Sequence, residues 1–160
     1  MGFQDDAKHI KIPLRLTLKL IKTKLICRPL FAILKSFNGG KLKNMIYRLF
    51  GVKIGKDVFI APNVHIDWLL PELITIEDGC IIGEHCTILT HEFTIKHGRI
   101  GRVHIGKQVT VGAFSIIRSG VTIGDKAVVA MDSLVNKDVS AKDEVGGVPE
   151  HEIKKLKKLV

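Results

Sequence analysis

Residues 103–139 read VHIGKQVTVGAFSIIRSGVTIGDKAVVAMDSLVNKDV, and they count in sixes. Ile105, Val111, Ile117, Ile123, Val129 and Val135 stand at every sixth position without a break, and each is β-branched. Gly or Ala follows most of them, at 106, 112, 124 and 130. The fifth place of each unit is small or β-branched: Val109, Ser115, Val121, Ala127, Ser133 and Val139. A fixed period held this long marks a solenoid and outranks local propensity. Each unit supplies a short strand and a turn, and three units make a triangular coil of ~18 residues. Branched openers suit an inward, stacked position on a pleated surface. The small fifth-place residues fill the corners.

The same phase extends toward the N-terminus. Ile54, Ile60 and Ile66 open three units, and Ile76, Ile82 and Ile88 open three more. Val58, Val64, Cys80 and Cys86 occupy the fifth places, so both cysteines read as small core residues. The remaining cysteine is Cys27; there is no CxxC pair and no Cys/His zinc spacing. Two segments break the count: DWLLPEL at 67–73 and TIKHGRIGRVH at 94–104. Loops that leave a regular solenoid commonly carry function. The expected architecture is an all-β solenoid over 51–148, preceded by a basic helical segment over 1–50. HEIKKLKKLV predicts a short helix within 149–160.

Of the 160 residues 46% are hydrophobic, which argues against disorder, and the length suits one domain. No apolar run reaches the ~18 residues of a membrane span. The start carries Asp5 and Asp6 and does not read as a secretory signal, so a cytoplasmic location is expected. The net charge of +9 is concentrated: residues 7–56 hold 13 Lys/Arg and no acid. Pro13 and Pro29 limit helices there to about 14–22 and 30–37, and KLKNMIYRLF predicts a further short helix ending at Gly51. Leu14, Leu18, Ile21 and Leu25 share one helical stripe among Arg15, Lys19, Lys22 and Lys24. Such a segment can cap the open end of the solenoid, or dock peripherally on an anionic membrane, or do both. No nucleic-acid motif or interleaved aromatics accompany the charge, so a nucleic-acid partner is not expected.

Four passages resemble the hexapeptide-repeat acyltransferases, in the branch that O-acetylates maltose, galactosides and capsular polysaccharides. They are GVKIGKDVFIAPNVHID (51–67), IGEHCTILTHEF (82–93), the 103–139 run, and VGGVPEHEIKKL (145–156). The resemblance covers about residues 48–156. It implies a left-handed parallel β-helix, an exception to the right-handed crossover rule. It also implies transfer of an acetyl group from acetyl-CoA to a small-molecule or glycan hydroxyl. His91, after an Ile-x-x run and before a break, matches the family's general base; an imidazole near its unperturbed pKa of ~6.5 suits that task.

Carried over position by position, Ala113 and Met131 match backbone contacts to the pantetheine arm of CoA. Asn136 and Lys137 match a Thr-Lys pair near the far end of that groove. Lys154 matches a basic position for the 3′-phosphate, and His151 matches another basic position of the family. Asp67 resembles the acceptor-binding acidic position, and Glu92 is placed to orient the acceptor or an imidazole. Thr110 stands where the family frequently has Trp, which affects the thiol end of the pocket. The family's members are homotrimers whose active sites lie between subunits, and no metal is implied. His85, His65, His104, His97 and His9 are weaker candidates for chemistry.

Two rival readings remain. A γ-class carbonic anhydrase-like metalloenzyme shares the fold but pairs two zinc ligands as His-x4-His; here His85, His91 and His97 are spaced by six. A non-enzymatic, basic-armed trimeric scaffold would leave His91 dispensable. Metal content separates the first from the acetyltransferase, and a thiol-release assay with acetyl-CoA separates the second.

Overall fold

The computed structural model describes residues 29–34, 36, 40–93, 98–149 and 151–152. Two-residue strands and turns repeat along the chain as the hexads dictate. The first coil holds strands Lys53–Ile54, Phe59–Ile60 and His65–Ile66, and the second Ile74–Ile76, Ile81–Ile82 and Thr87–Ile88. The third holds Val103–Ile105, Thr110–Val111 and Ile116–Ile117, and the fourth Thr122–Ile123, Val128–Val129 and Leu134–Val135. Equivalent strands pair in parallel, so the coils stack into three sheets.

The register places the openers on top of one another. Ile54 pairs with Ile76, Ile76 with Ile105, and Ile105 with Ile123 on the first sheet. Ile60, Ile82, Val111, Val129 and Val145 form the second ladder, and Ile66, Ile88, Ile117 and Val135 the third. These side chains are buried. Each fully buried Ile or Val contributes about 1.5–3 kcal/mol, which outweighs the ~1 kcal/mol net of a ladder hydrogen bond. Stacking of the openers therefore dominates the stability of strands this short.

Corners are tight. Asn63, His85, Gln108, Phe114, Lys126 and Asp132, each in the fourth place of its unit, all have positive φ. The Gly after an opener is where two coils come closest: a Cβ on Gly112 would lie 2.4 Å from the Met131 amide nitrogen. Cys80 and Cys86 are buried at corners, where their thiols reach the carbonyls of Gly106 and Gly112 at 2.8 and 3.0 Å. Burial pushes both thiols above the ordinary range, so both act as structural residues.

The open upper edge of the first coil is closed by helix Lys41–Leu49, whose Tyr47 is buried with Phe31, Leu34, Val52 and Ile54. Its polar residues complete the seal. Lys43 Nζ donates to the carbonyls of Ala61 (2.8 Å) and Ile60 (3.3 Å), and Asn44 Nδ2 donates to Val58 (2.7 Å). Arg48 donates through Nε to Ile54 (2.9 Å) and through Nη2 to Gly55 (2.6 Å). An exposed parallel edge would otherwise leave these acceptors to water or to another chain. Part of the basic charge is thus spent on capping. The helix expected over 14–22 lies outside the described residues, and the one expected over 30–37 is seen as helix at 29–34.

Burial pushes the Lys43 ammonium down to about 8. Between there and ~10.4, the usual lysine value, the unfolded chain binds the proton more tightly than the folded one. Stability therefore rises with pH across that window, while below pH 8 the desolvation cost is fully present. Denaturant melts should show wild type gaining on Lys43→Met between pH 8 and 10. A pH-independent difference between the two would contradict the buried charge.

The C-terminal segment departs from expectation. His151–Glu152 is a strand antiparallel to Glu144–Gly146, not the first turn of a helix within 149–160. After the turn at 147–149 the backbone satisfies the last exposed edge of the second sheet, a demand that helical periodicity does not register. Residues 153–160, with Lys154, lie outside the described residues.

Candidate active site

Of the three corners of the triangle, two carry Gly or Ala after every opener but Ile76, which Glu77 follows. The third is mostly polar: Asp67, Arg118 and Asn136 follow Ile66, Ile117 and Val135, and Leu89 follows Ile88. Both interruptions of the repeat leave from this corner. The first, 67–73, ends in the 3₁₀ turn Pro71–Leu73. The second leaves after Thr90 as an antiparallel hairpin, His91–Phe93 against Gly98–Ile100. Gly101 N donates to Thr90 O at 2.9 Å and closes its base.

His91 sits at that junction. The fourth place predicts a corner residue, but the hairpin makes His91 the first residue of a strand instead. Its ring Nδ1 lies 2.5 Å from Asp67 Oδ2. That oxygen also accepts from Thr90 N (2.9 Å) and Thr90 Oγ1 (2.5 Å), while Oδ1 accepts from Leu69 N (2.9 Å). Asp67 is 1% exposed. Burial opposes its charge, yet the Thr90 and Leu69 donors and the His91 ring together hold the carboxyl below the ordinary range. An ionised carboxylate only accepts, so the hydrogen on Nδ1 points at Asp67, and in the neutral ring Nε2 is the nitrogen with the free lone pair. The His91 side chain is 26% exposed, enough for a substrate to reach it. The arrangement can take a proton at Nε2 and stabilise the resulting imidazolium.

Two of the candidate residues have partners within the chain. Asp67 is turned inward onto Thr90 and His91, and the first break brings the Leu69 N–H back onto its other oxygen. Glu92 faces the third coil. Arg118 donates to it through Nε (3.1 Å to Oε1, 3.2 Å to Oε2) and through Nη2 (2.5 Å to Oε2). Ser119 donates through N (3.3 Å) and Oγ (3.0 Å) to Oε1. Burial raises the Glu92 carboxyl, but the Arg118 and Ser119 donors more than offset it and hold the group below the usual range. Sequence reasoning passed over Thr90, Arg118 and Ser119. The signal available was a charged residue, Arg118, in a place where the unbroken run from Ile105 to Val135 otherwise puts Gly, Ala or Asn.

Ala113 and Met131 lie on a different corner from His91, between the second and third sheets, and Met131 is 74% exposed. One chain does not bring them to the imidazole. Asn136 and Lys137 lie on the His91 corner, on the fourth coil, and Lys137 is exposed. His151 is exposed on the final strand. Elsewhere, His85 stacks on Phe114 with ring centroids 4.9 Å apart and planes 4° apart, away from the polar corner. Among the described residues no three His, Cys, Asp or Glu side chains gather as a metal site would require.

Residues 102–137 match the bacterial transferase hexapeptide family (six repeats). A Bacillus subtilis (strain 168) protein named "Putative acetyltransferase YvoF" is 46% identical over 109 residues, which are 68% of this chain and 63% of that protein. The chain thus spans less than two thirds of that relative. A Staphylococcus aureus (strain MSSA476) protein, "Putative acetyltransferase SAS0727", is 35% identical over 140 residues, 86% of this chain and 87% of the other. Two solved structures share the fold. A hexapeptide-repeat acetyltransferase of Vibrio cholerae complexed with acetyl coenzyme A superposes with a TM-score of 0.70 at 22% identity, covering 94% of each chain. A galactoside acetyltransferase in complex with coenzyme A has a TM-score of 0.67 at 20% identity, covering 84% of this chain and 81% of the other. The stacked hexads are thus a left-handed parallel β-helix, and the chain belongs to the hexapeptide-repeat acetyltransferases.

Proposed function

We propose that the protein transfers an acetyl group from acetyl-CoA to a hydroxyl of a sugar or polysaccharide precursor, with His91 as general base. The observation that carries this reading is the His91–Asp67 pair at the break in the coil. Nε2 takes the acceptor's hydroxyl proton as the oxygen attacks the thioester carbonyl carbon. The tetrahedral intermediate collapses, the carbon–sulfur bond breaks, and the thiolate leaves with the proton returned by the imidazolium. Asp67 keeps Nδ1 protonated and offsets the positive charge that develops on the ring. A sugar acceptor is favoured by the resemblance of residues 51–67 and 82–93 to the sugar- and polysaccharide-modifying branch.

The site is completed between copies of the chain in a homotrimer. Ala113 and Met131, on the other corner, supply the CoA groove to a neighbour's His91. Phe59, Ile81, Thr110 and Val128 form a largely apolar strip on the outer face of the second sheet, beside exposed Phe114 and Met131. A strip of this kind suits lateral packing of like subunits. Asn136, Lys137, His151 and Lys154 serve the distal part of CoA.

A thiol-release assay with acetyl-CoA over a panel of sugars, nucleotide-sugars and amines tests the reaction, and absence of acetyl transfer to any hydroxyl acceptor would refute it. CoA should also raise the melting temperature, because it binds the folded assembly and not the unfolded chain. Lys154→Glu should reduce that rise by removing a phosphate partner. An undiminished rise would remove Lys154 from the site.

A further inference from the structure

We propose that Arg118 and Ser119 are positioning residues for His91, acting through the Glu92 carboxylate. The proposal rests on the reading of His91 as general base. It starts from a weakness in the fold. The hairpin that begins at His91 is an excursion from the solenoid, with three residues in each strand. A two-stranded hairpin of that size is marginal by itself. A base that must meet a hydroxyl within hydrogen-bond reach needs an orientation held to about 10–20°. Something must therefore tie the hairpin to the stacked coils.

The tie is at the residue next to His91. The Arg118 guanidinium meets Glu92 as a planar fork, which fixes direction as well as distance. Ser119 adds its backbone N–H and its hydroxyl to the same carboxylate. Arg118 and Ser119 follow Ile117, whose place in the third coil is set by pairing with Ile88 and Val135. The rigid stack is thereby extended onto the hairpin. The return leg is seated on the same corner: a Cβ on Gly101 would lie 2.5 Å from Gly120.

Successive side chains on a strand point to opposite faces. With Glu92 pinned to the third coil, the neighbouring His91 ring is turned the other way, toward Asp67 of the first coil. Asp67 can orient the ring only if the backbone of residue 91 is already in place. The two carboxylates thus have separate tasks: Asp67 sets the ring's hydrogen, and Glu92 sets the strand.

The test uses the full chain with Glu92→Gln, Arg118→Lys and Arg118→Met, and with Lys107→Ala as a control that removes one surface cation. Nitrogen-15 NMR of the His91 ring reads its tautomer without any substrate. Wild type and Lys107→Ala should show one tautomer with Nδ1 protonated, and Arg118→Met a mixture of both. With acetyl-CoA and methyl β-galactopyranoside as probes, kcat should fall about 10–100-fold in Arg118→Met while KM for acetyl-CoA holds within about twofold. Arg118→Lys, which keeps charge but not the fork, should fall between. Melting curves identify any variant that fails to fold, in which case Glu92→Gln and Arg118→Lys decide.

A wild-type tautomer and kcat in folded Arg118→Met or Glu92→Gln, beside an inactive His91→Ala, would overturn the positioning role alone. A fully active His91→Ala would instead overturn the base assignment. The tautomer would then still report whether the fork orients the ring.

Discussion

Replacing His91 with Ala is expected to lower acetyl transfer by about 10²–10⁴-fold, the usual range for a general base. The fold should survive. The His91 ring is a quarter exposed, and its partners are Asp67 and the exposed Phe93, whose ring centroid lies 5.1 Å away. No opener or fifth-place residue is disturbed. The affinity for acetyl-CoA should change little, because the groove proposed for CoA lies on the other corner. The variant should therefore bind acetyl-CoA, resist thermal unfolding as the wild type does, and release thiol very slowly. Retention of full activity in the purified variant would defeat the assignment. A loss of activity accompanied by a collapsed melting temperature would show that His91 supports the fold instead.

Asp67→Asn should cost nearly as much activity, about 10²–10³-fold, because it removes the charge that stabilises the imidazolium. The amide cannot reproduce the carboxylate's bonds. Its oxygen can face Thr90 and His91, but its nitrogen then meets the Leu69 N–H, donor against donor. Stability should fall by about 1–3 kcal/mol, the cost of one unsatisfied buried donor. The pH dependence has a definite sign. The folded-state pKa of Asp67 lies below its unfolded value, so the unfolded chain binds the proton first as pH drops. The stabilisation is complete above ~3.9 and is lost as pH falls through the folded value. Wild type should lose its advantage over Asp67→Asn in acid and keep it at neutral pH. Since Asp67 acts through His91, the double variant should be no worse than His91→Ala. Fully additive losses would mean that Asp67 has a role of its own, such as the acceptor contact its sequence position first suggests.

Much of the candidate site was legible in the chain, and what was not has a physical cause. His91 could be found because it stands where an unbroken count of six gives way, and a break in a repeat is visible in one dimension. Asp67 could be singled out for the same reason. Its task could not be read, because that depends on a contact between residues 24 positions apart. The length and path of two insertions decide whether the carboxylate faces an acceptor or the ring. Glu92 illustrates the same limit: a glutamate beside a candidate base has several uses, and only the third coil's Arg118 and Ser119 select one.

The sequence by itself determined the solenoid, the identity of its inward ladders and the positions of its corners. Those features repeat, and every repeat meets the same stacking demand from the coils above and below. Ile54, Ile105 and Ile123 need no distant information to be read as core. The tertiary structure alone decided what happens where the repeat stops. At the upper end, Lys43, Asn44 and Arg48 become caps because the first coil exposes unpaired carbonyls. At the lower end, His151–Glu152 becomes a strand because the last coil offers an open edge. At the polar corner, the path of two loops joins His91 to Asp67 and Glu92 to Arg118. Ends and breaks have no neighbour of their own kind, so their contacts are set by whatever the rest of the fold leaves unsatisfied.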